Sequence, residues 1–306
     1  MNISVAVENF LMYCQERKCL SSKTTYAYSV DLNQFCVHSN NTFCKKTIEE
    51  YISYMHRKYK PKTVKRKIAT LKAFSHYLLL QDEIETNPFS KIDTSFREEQ
   101  VLPKTIPIDI IRNILVAAYS NYNKAQTVYS QKCALRDIAV LEILFATGAR
   151  VSEVCCQTID TMDLANHIMR IWGKGSKERI LHIENAEVLK ALTAYYNAFE
   201  NDITDSGFFF VNKLGHRLSE QSVRAMINRY ARQINYSKHI TPHMYRHSFA
   251  SYLLEENVDI RYIQKILGHS SITTTQIYTH VSLTKQKEIL STKHPRNKME
   301  LSKQEI

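Results

Sequence analysis

Along the first third of the chain, apolar residues recur every three or four positions in segments 3–18, 22–38, 47–59 and 61–82, and this spacing predicts four helices. The last opens with Pro61, whose fixed φ suits a first helical turn, and carries Val64, Ile68, Leu71, Phe74 and Leu78 on one stripe. Asn87-Pro88 interrupts the periodicity, and the polar stretch that follows, with Arg97, Glu98, Glu99 and Gln100, reads as a linker. The pattern therefore divides the chain into a helical domain over 1–90, a linker over 91–105, a second domain over 106–290 and a mobile tail over 291–306.

The second domain mixes periods. Residues 137–145 read as a core helix stopped by Gly148, a left-handed cap, and Arg150, Glu153 and Val154 begin another helix. Segments 167–172 and 179–183 alternate as strands do, joined through the Gly-Lys-Gly-Ser-Lys turn of 173–177, with Lys174 near the tip of the resulting hairpin. From about 186 onward the pattern is helical again. Residues 259–267 form a short amphipathic helix stopped by Gly268, and 282–290 a further helix suited to packing on a neighbouring protomer. The expected fold is mainly α with a small β-sheet.

Composition narrows the partners. The 306 residues carry 41 Lys and Arg against 30 Asp and Glu, a formal charge of +11 that suits a polyanion. Lys60, Lys62, Lys65, Arg66, Lys67 and Lys72 place much of this charge along one predicted helix, where it could track phosphates. Seven cysteines, an odd number without C-x-x-C spacing, argue against a disulfide framework or a zinc ribbon, and adjacent Cys155 and Cys156 read as helix packing. With neither an apolar run of membrane-spanning length nor a charged-then-apolar leader, a cytoplasmic location is expected.

The densest chemistry lies between Thr241 and Tyr278. Thr241-Pro242 reads as an N-cap and first helical residue, so His243 and Arg246 share a face at a helix N-terminus, where backbone N–H groups favour an anion such as phosphate. His269 follows Gly268 in a turn, Ser270 or Ser271 caps the next helix, and Tyr278 lies about two turns into it. The stretch thus supplies an anion clamp, a proton-transfer group and a nucleophile. His243 and His247 also stand at i, i+4 as in zinc-protease helices, but Met244 occupies the place of the glutamate base that motif requires. Nor is the 173–177 turn a P-loop, because its glycine and lysine spacing is wrong.

Four ordered blocks carry a resemblance: 146–153 (Ala-Thr-Gly-Ala-Arg-Val-Ser-Glu), 173–179 (Gly-Lys-Gly-Ser-Lys-Glu-Arg), 243–247 (His-Met-Tyr-Arg-His), and 267–271 (Leu-Gly-His-Ser-Ser) continuing to Tyr278. With them the chain resembles the tyrosine recombinases of the phage-integrase type, closest in layout to the simple Xer-like members. Ser22 to Tyr26, with Asp31, Leu32 and Phe35, is similar to that family's first DNA-clamping helices. The resemblance implies a two-domain C-shaped clamp, a helical core-site DNA-binding domain followed by an α+β catalytic domain. It also implies an enzyme that joins DNA strands through a 3′-phosphotyrosyl intermediate and a Holliday junction, in integration, excision or resolution.

A phosphotyrosyl link conserves the energy of the broken phosphodiester, so no energy cofactor is needed, and guanidinium groups stabilise charge on the non-bridging oxygens where a metal would otherwise serve. The resemblance makes Tyr278 the nucleophile, Arg150 and Arg246 the phosphate clamp, His243 the base and Lys174 the acid, with Lys177 a rival for the last role. It has His269 add a phosphate hydrogen bond and Glu153 orient the site from behind. No cofactor or metal is implied. The implied partners are double-stranded DNA with core recombination sites and three further protomers, in a homotetramer or a heterotetramer with a related recombinase. Because the chain starts directly with the clamp-like half, it is expected to lack the arm-site domain of larger phage integrases. Two other readings share parts of these features: a catalytically silent sequence-specific DNA-binding protein, and a type IB topoisomerase-like relaxing enzyme.

Overall fold

The computed structural model describes residues 2–96, 104–172, 178–256, 258–268 and 283–299. It separates into two compact units, Met1–Val101 and Leu102–Ile306. Among the described residues, no helix is long and apolar enough to cross a membrane.

The first unit is built from α1 (Ile3–Glu16), α2 (Ser22–His38), α3 (Lys45–Lys58) and α4 (Pro61–Leu80). Asn2 and Ser21 cap the first two helices through their side chains, and Pro61 occupies the first turn of α4. The predicted stripe of α4 is buried throughout, joining Phe10, Leu32, Phe35, Ile48 and Tyr51 in one core. Lys67 departs from expectation. Its ammonium is 2.8 Å from Asp31 Oδ1 and 2.6 Å from Gln34 Oε1, and it lies inside the bundle rather than along a phosphate track. Asp31 also accepts from Arg66 and from the Thr70 hydroxyl, so one buried carboxylate ties α2 to α4 through three donors. The stretch read as linker also differs at its start. A 3-10 helix, Pro88–Lys91, follows α4, and Phe89, Ile92 and Phe96 pack on the helical core because the apolar residues among its polar neighbours have surface to cover.

In the second unit α6 (Val128–Thr147) is the central helix, buried on nearly every side, with α5 (Ile108–Asn123) and α8 (Ala186–Ser206) packed against it. Between α6 and α8 lie α7 (Val151–Cys155) and an antiparallel sheet of order β1-β2-β3. Its strands are β1 (Met162–Asp163), β2 (Ile168–Trp172) and β3 (Glu178–His182), and Trp172 pairs with Glu178 at the end of the hairpin next to its connecting segment. The hairpin was expected; the two-residue β1 was too short to show a period. Cys155 is buried as expected, whereas Cys156 is exposed at the end of α7, where an Arg217 guanidinium nitrogen lies 3.1 Å from its sulfur. α9 (Glu220–Gln233), α10 (Pro242–Glu255), α11 (Ile260–Leu267) and α12 (Leu283–Thr292) complete the unit.

The expected mobile tail is corrected as far as Met299. After α12, a 3-10 helix, Pro295–Lys298, buries His294 and Arg296 against α6. Arg296 donates from Nε to Glu142 Oε2 at 2.9 Å and from Nη2 to Oε1 at 3.0 Å, and His294 Nε2 lies 3.0 Å from the Phe145 carbonyl. Charge and proline made this segment look solvated, but its two polar side chains answer polar groups already buried on α6.

Candidate active site

The site begins where α6 ends. Gly148 closes the helix in the left-handed region at φ +59°, and a Cβ there would lie 2.5 Å from the Phe249 ring on α10. The Thr147 hydroxyl steadies this turn, donating to the Ile143 carbonyl at 2.7 Å and accepting from the Ala149 N–H at 3.2 Å. Arg150 is then the N-cap of α7. Its backbone N–H donates to Glu153 Oε2 and its Nη1 to Oε1, each at 2.7 Å, so the third residue of the helix reaches back to its N-cap, fixes the arginine stem and leaves its side chain 36% exposed.

Glu153 receives a second arginine. Arg179, at the start of β3, donates from Nη1 to Oε1 at 3.1 Å and from Nη2 to Oε2 at 2.7 Å, a fork-on-fork contact. Burial alone would raise the Glu153 pKa. The hydrogen bonds from Arg179, then from Arg150, outweigh it and hold the carboxyl below its usual range.

Arg246 sits one turn inside α10 and is buried. Its Nη1 donates to the Gly148 carbonyl at 3.0 Å and its Nη2 to the Leu267 carbonyl at 2.5 Å, so one guanidinium holds the ends of α6 and α11 together. Burial, then the positive charge of Arg150, push its pKa down to about 10, still charged at neutral pH. The end of α11 is a second left-handed glycine, Gly268 at φ +64°, where a Cβ would meet Arg179 Nη1 at 2.7 Å. Three guanidinium groups thus gather around two glycine-capped helix ends, with one carboxylate hydrogen-bonded among them.

The expected residues divide. Arg150, Glu153 and Arg246 come together here, and His243 stands exposed in the first turn of α10, which Thr241 and Pro242 begin as expected. His247, one turn on, has its pKa lowered by burial, then by the charge of His243 and of Arg246. Lys174, Lys177, His269 and Tyr278 lie outside the described residues. Sequence reasoning left Arg179 without a role. Its block was recognised, but the partner that matters lies 26 positions away on another element. Among the described residues no group of three or more His, Cys, Asp or Glu side chains could hold a metal ion.

Residues 116–285 match the phage integrase family, and residues 7–82 match the phage integrase N-terminal SAM-like domain. A tyrosine recombinase from Agathobacter rectalis is 50% identical over 299 residues, covering 96% of this chain and 98% of that protein. Tyrosine recombinase XerC of Thermodesulfovibrio yellowstonii is 34% identical over 311 residues, covering 97% of this chain and 98% of that protein. The fold is shared with XerH site-specific recombinase bound to difH substrate in a pre-cleavage complex, with TM-score 0.67, 21% identity, and 94% and 84% of the two chains covered. It is shared equally with a lambda integrase dimer bound to a COC′ core site, with TM-score 0.68, 16% identity, and 92% and 100% covered.

Proposed function

Because the chain belongs to the phage integrase family, whose members compared above include tyrosine recombinases, we propose that its arginine cluster is the phosphate clamp of a transesterification centre with Tyr278 as nucleophile. The protein is a site-specific DNA recombinase. The observation that carries the proposal for the site is the convergence of Arg150 and Arg246, the first oriented by Glu153 and the second by two carbonyl groups. Such preorganised cations stabilise the charge that develops on the non-bridging oxygens as phosphorus becomes five-coordinate.

In this reading the Tyr278 oxygen attacks phosphorus and the bond to the 5′ oxygen breaks. The phenol proton passes to His243, and Lys174 supplies a proton to the departing 5′ oxygen. The 3′-phosphotyrosyl bond then yields to a 5′ hydroxyl of the exchanging strand, with each proton returned, so the number of phosphodiester bonds is conserved. His269 adds a hydrogen bond to the phosphate. Exchange of one strand pair and then the other passes through a four-way junction and calls for four protomers, alike or of two related kinds. The two units correspond in this reading to a core-site-binding domain and a catalytic domain on double-stranded DNA. Two structures that share the fold support DNA as partner, a XerH site-specific recombinase bound to difH substrate and a lambda integrase dimer bound to a COC′ core site.

The test is a nicked suicide substrate carrying a core site from the native DNA neighbourhood, incubated with protein in EDTA and without nucleotide, then run on a denaturing gel. Wild type should form a covalent protein–DNA adduct and Tyr278→Phe none. Binding to the cognate site without any wild-type adduct would instead favour a silent DNA-binding protein.

A further inference from the structure

Glu153 is saturated. Its two carboxylate oxygens accept four hydrogen bonds, two from Arg150 and two from Arg179, and none of these donors is replaceable by bulk water at so enclosed a carboxylate, 10% exposed. Arg179 is itself fixed, with its side chain 14% exposed and the Gly268 turn lying against its guanidinium. The same turn is held from the other side by Arg246 through the Leu267 carbonyl.

We infer that Arg179 is a positioning residue for the recombination reaction, aligning Arg150 through the shared carboxylate of Glu153 and setting the height of the Leu267-Gly268 turn beneath the phosphate. The inference rests on the recombinase reading above. The geometry points to the role of this third arginine: both its Nη groups donate to Glu153, so it neutralises and orients the carboxylate that in turn orients Arg150. Without Arg179, Glu153 keeps its negative charge with fewer donors and draws the Arg150 guanidinium back onto itself, away from an incoming phosphate. The missing Cβ of Gly268 gives the second contact its meaning. Only glycine lets that backbone approach the guanidinium so closely, so removing Arg179 also removes the floor of the turn.

The experiment is single-turnover adduct formation on the suicide substrate by wild type, Arg179→Gln, Arg179→Lys, Glu153→Gln and the double variant Arg179→Gln/Glu153→Gln. Core-site affinity by mobility shift and a thermal melt are measured on each. Arg179→Gln should slow adduct formation about 10–100-fold, the usual effect of losing a partner one step removed from a reacting group, with core-site affinity unchanged. Lysine cannot form the fork, so Arg179→Lys should stay slow. Because both residues act through one contact, the double variant should be no more than about twofold slower than the slower single variant. A rate equal to wild type in Arg179→Gln, restoration by lysine, or multiplicative effects in the double variant would each overturn the inference. If Arg179→Gln fails to fold, Arg179→Lys and Glu153→Gln carry the comparison. Failure of wild type itself to form an adduct is a separate result, sinking the recombinase reading rather than this refinement of it.

Discussion

Replacing Arg296 by alanine tests whether the C-terminal segment is part of the second unit's stability or only lies upon it. The Glu142 side chain is 0% exposed and that of Arg296 4%, and the pair is bidentate at 2.9 and 3.0 Å. After Arg296→Ala the carboxylate keeps only the Tyr119 hydroxyl, 3.0 Å from Oε1. A buried charge stripped of its partner costs about 3–5 kcal/mol, a large share of the roughly 5–15 kcal/mol by which domains are stable. The loss should show in urea unfolding, and hydrogen exchange should locate it as faster exchange in peptides from α6. The double change Glu142→Met/Arg296→Met removes both charges and fills the space, and should stand near wild type. A loss below about 1 kcal/mol, the scale of an exposed pair, or a double variant as unstable as the single one would refute the reasoning.

Two further expectations follow from the same unit. His294 accepts the Arg296 backbone N–H at Nδ1 and so carries its proton on Nε2, toward Phe145; burial, then the charge of Arg296, push its pKa down to about 4 against an ordinary 6.5. A depressed histidine stabilises above its unfolded pKa, so about 3 kcal/mol should be lost as pH falls from 6.5 toward 4. Urea melts across that window should give a shallower slope for His294→Gln; an unchanged slope would show the histidine plays no part. Gly148→Ala should cost roughly 2–4 kcal/mol by adding left-handed strain to overpacking against Phe249. Gly207→Ala, at φ +72° with nothing within 4 Å of its Cβ, should cost only the backbone part. Equal losses in melts of the two variants would remove the steric argument.

Much of the fold was legible because burial wrote a period into the sequence. Val64, Ile68, Leu71, Phe74 and Leu78 are all buried where the stripe put them, and Gly148 and Gly268 both end helices in the left-handed region. The same periodicity misled at Lys67, which stands beside that stripe and enters the core because Asp31 and Gln34 meet it there, two residues on another helix. Arg150, Glu153 and Arg246 were legible through motif blocks and capping rules, which are local. Arg179 was not, since its importance lies in sharing Glu153 with Arg150, and residue spacing within one block carries no sign of a partner on another. His294 and Arg296 were missed for the same reason. Polar residues predict solvent until the buried groups they satisfy are known.

The four-donor carboxylate of Glu153 also constrains how this site could have changed over its descent. A lineage that loses Arg179 while keeping Glu153 leaves a carboxylate competing for Arg150. One that loses Glu153 first sets two guanidinium groups against each other beside the buried cation of Arg246. Either single step loosens the alignment of Arg150. Positions 153 and 179 should therefore vary together or not at all, and relatives with another residue at one should carry a changed residue at the other, a covariation that a family tree would record.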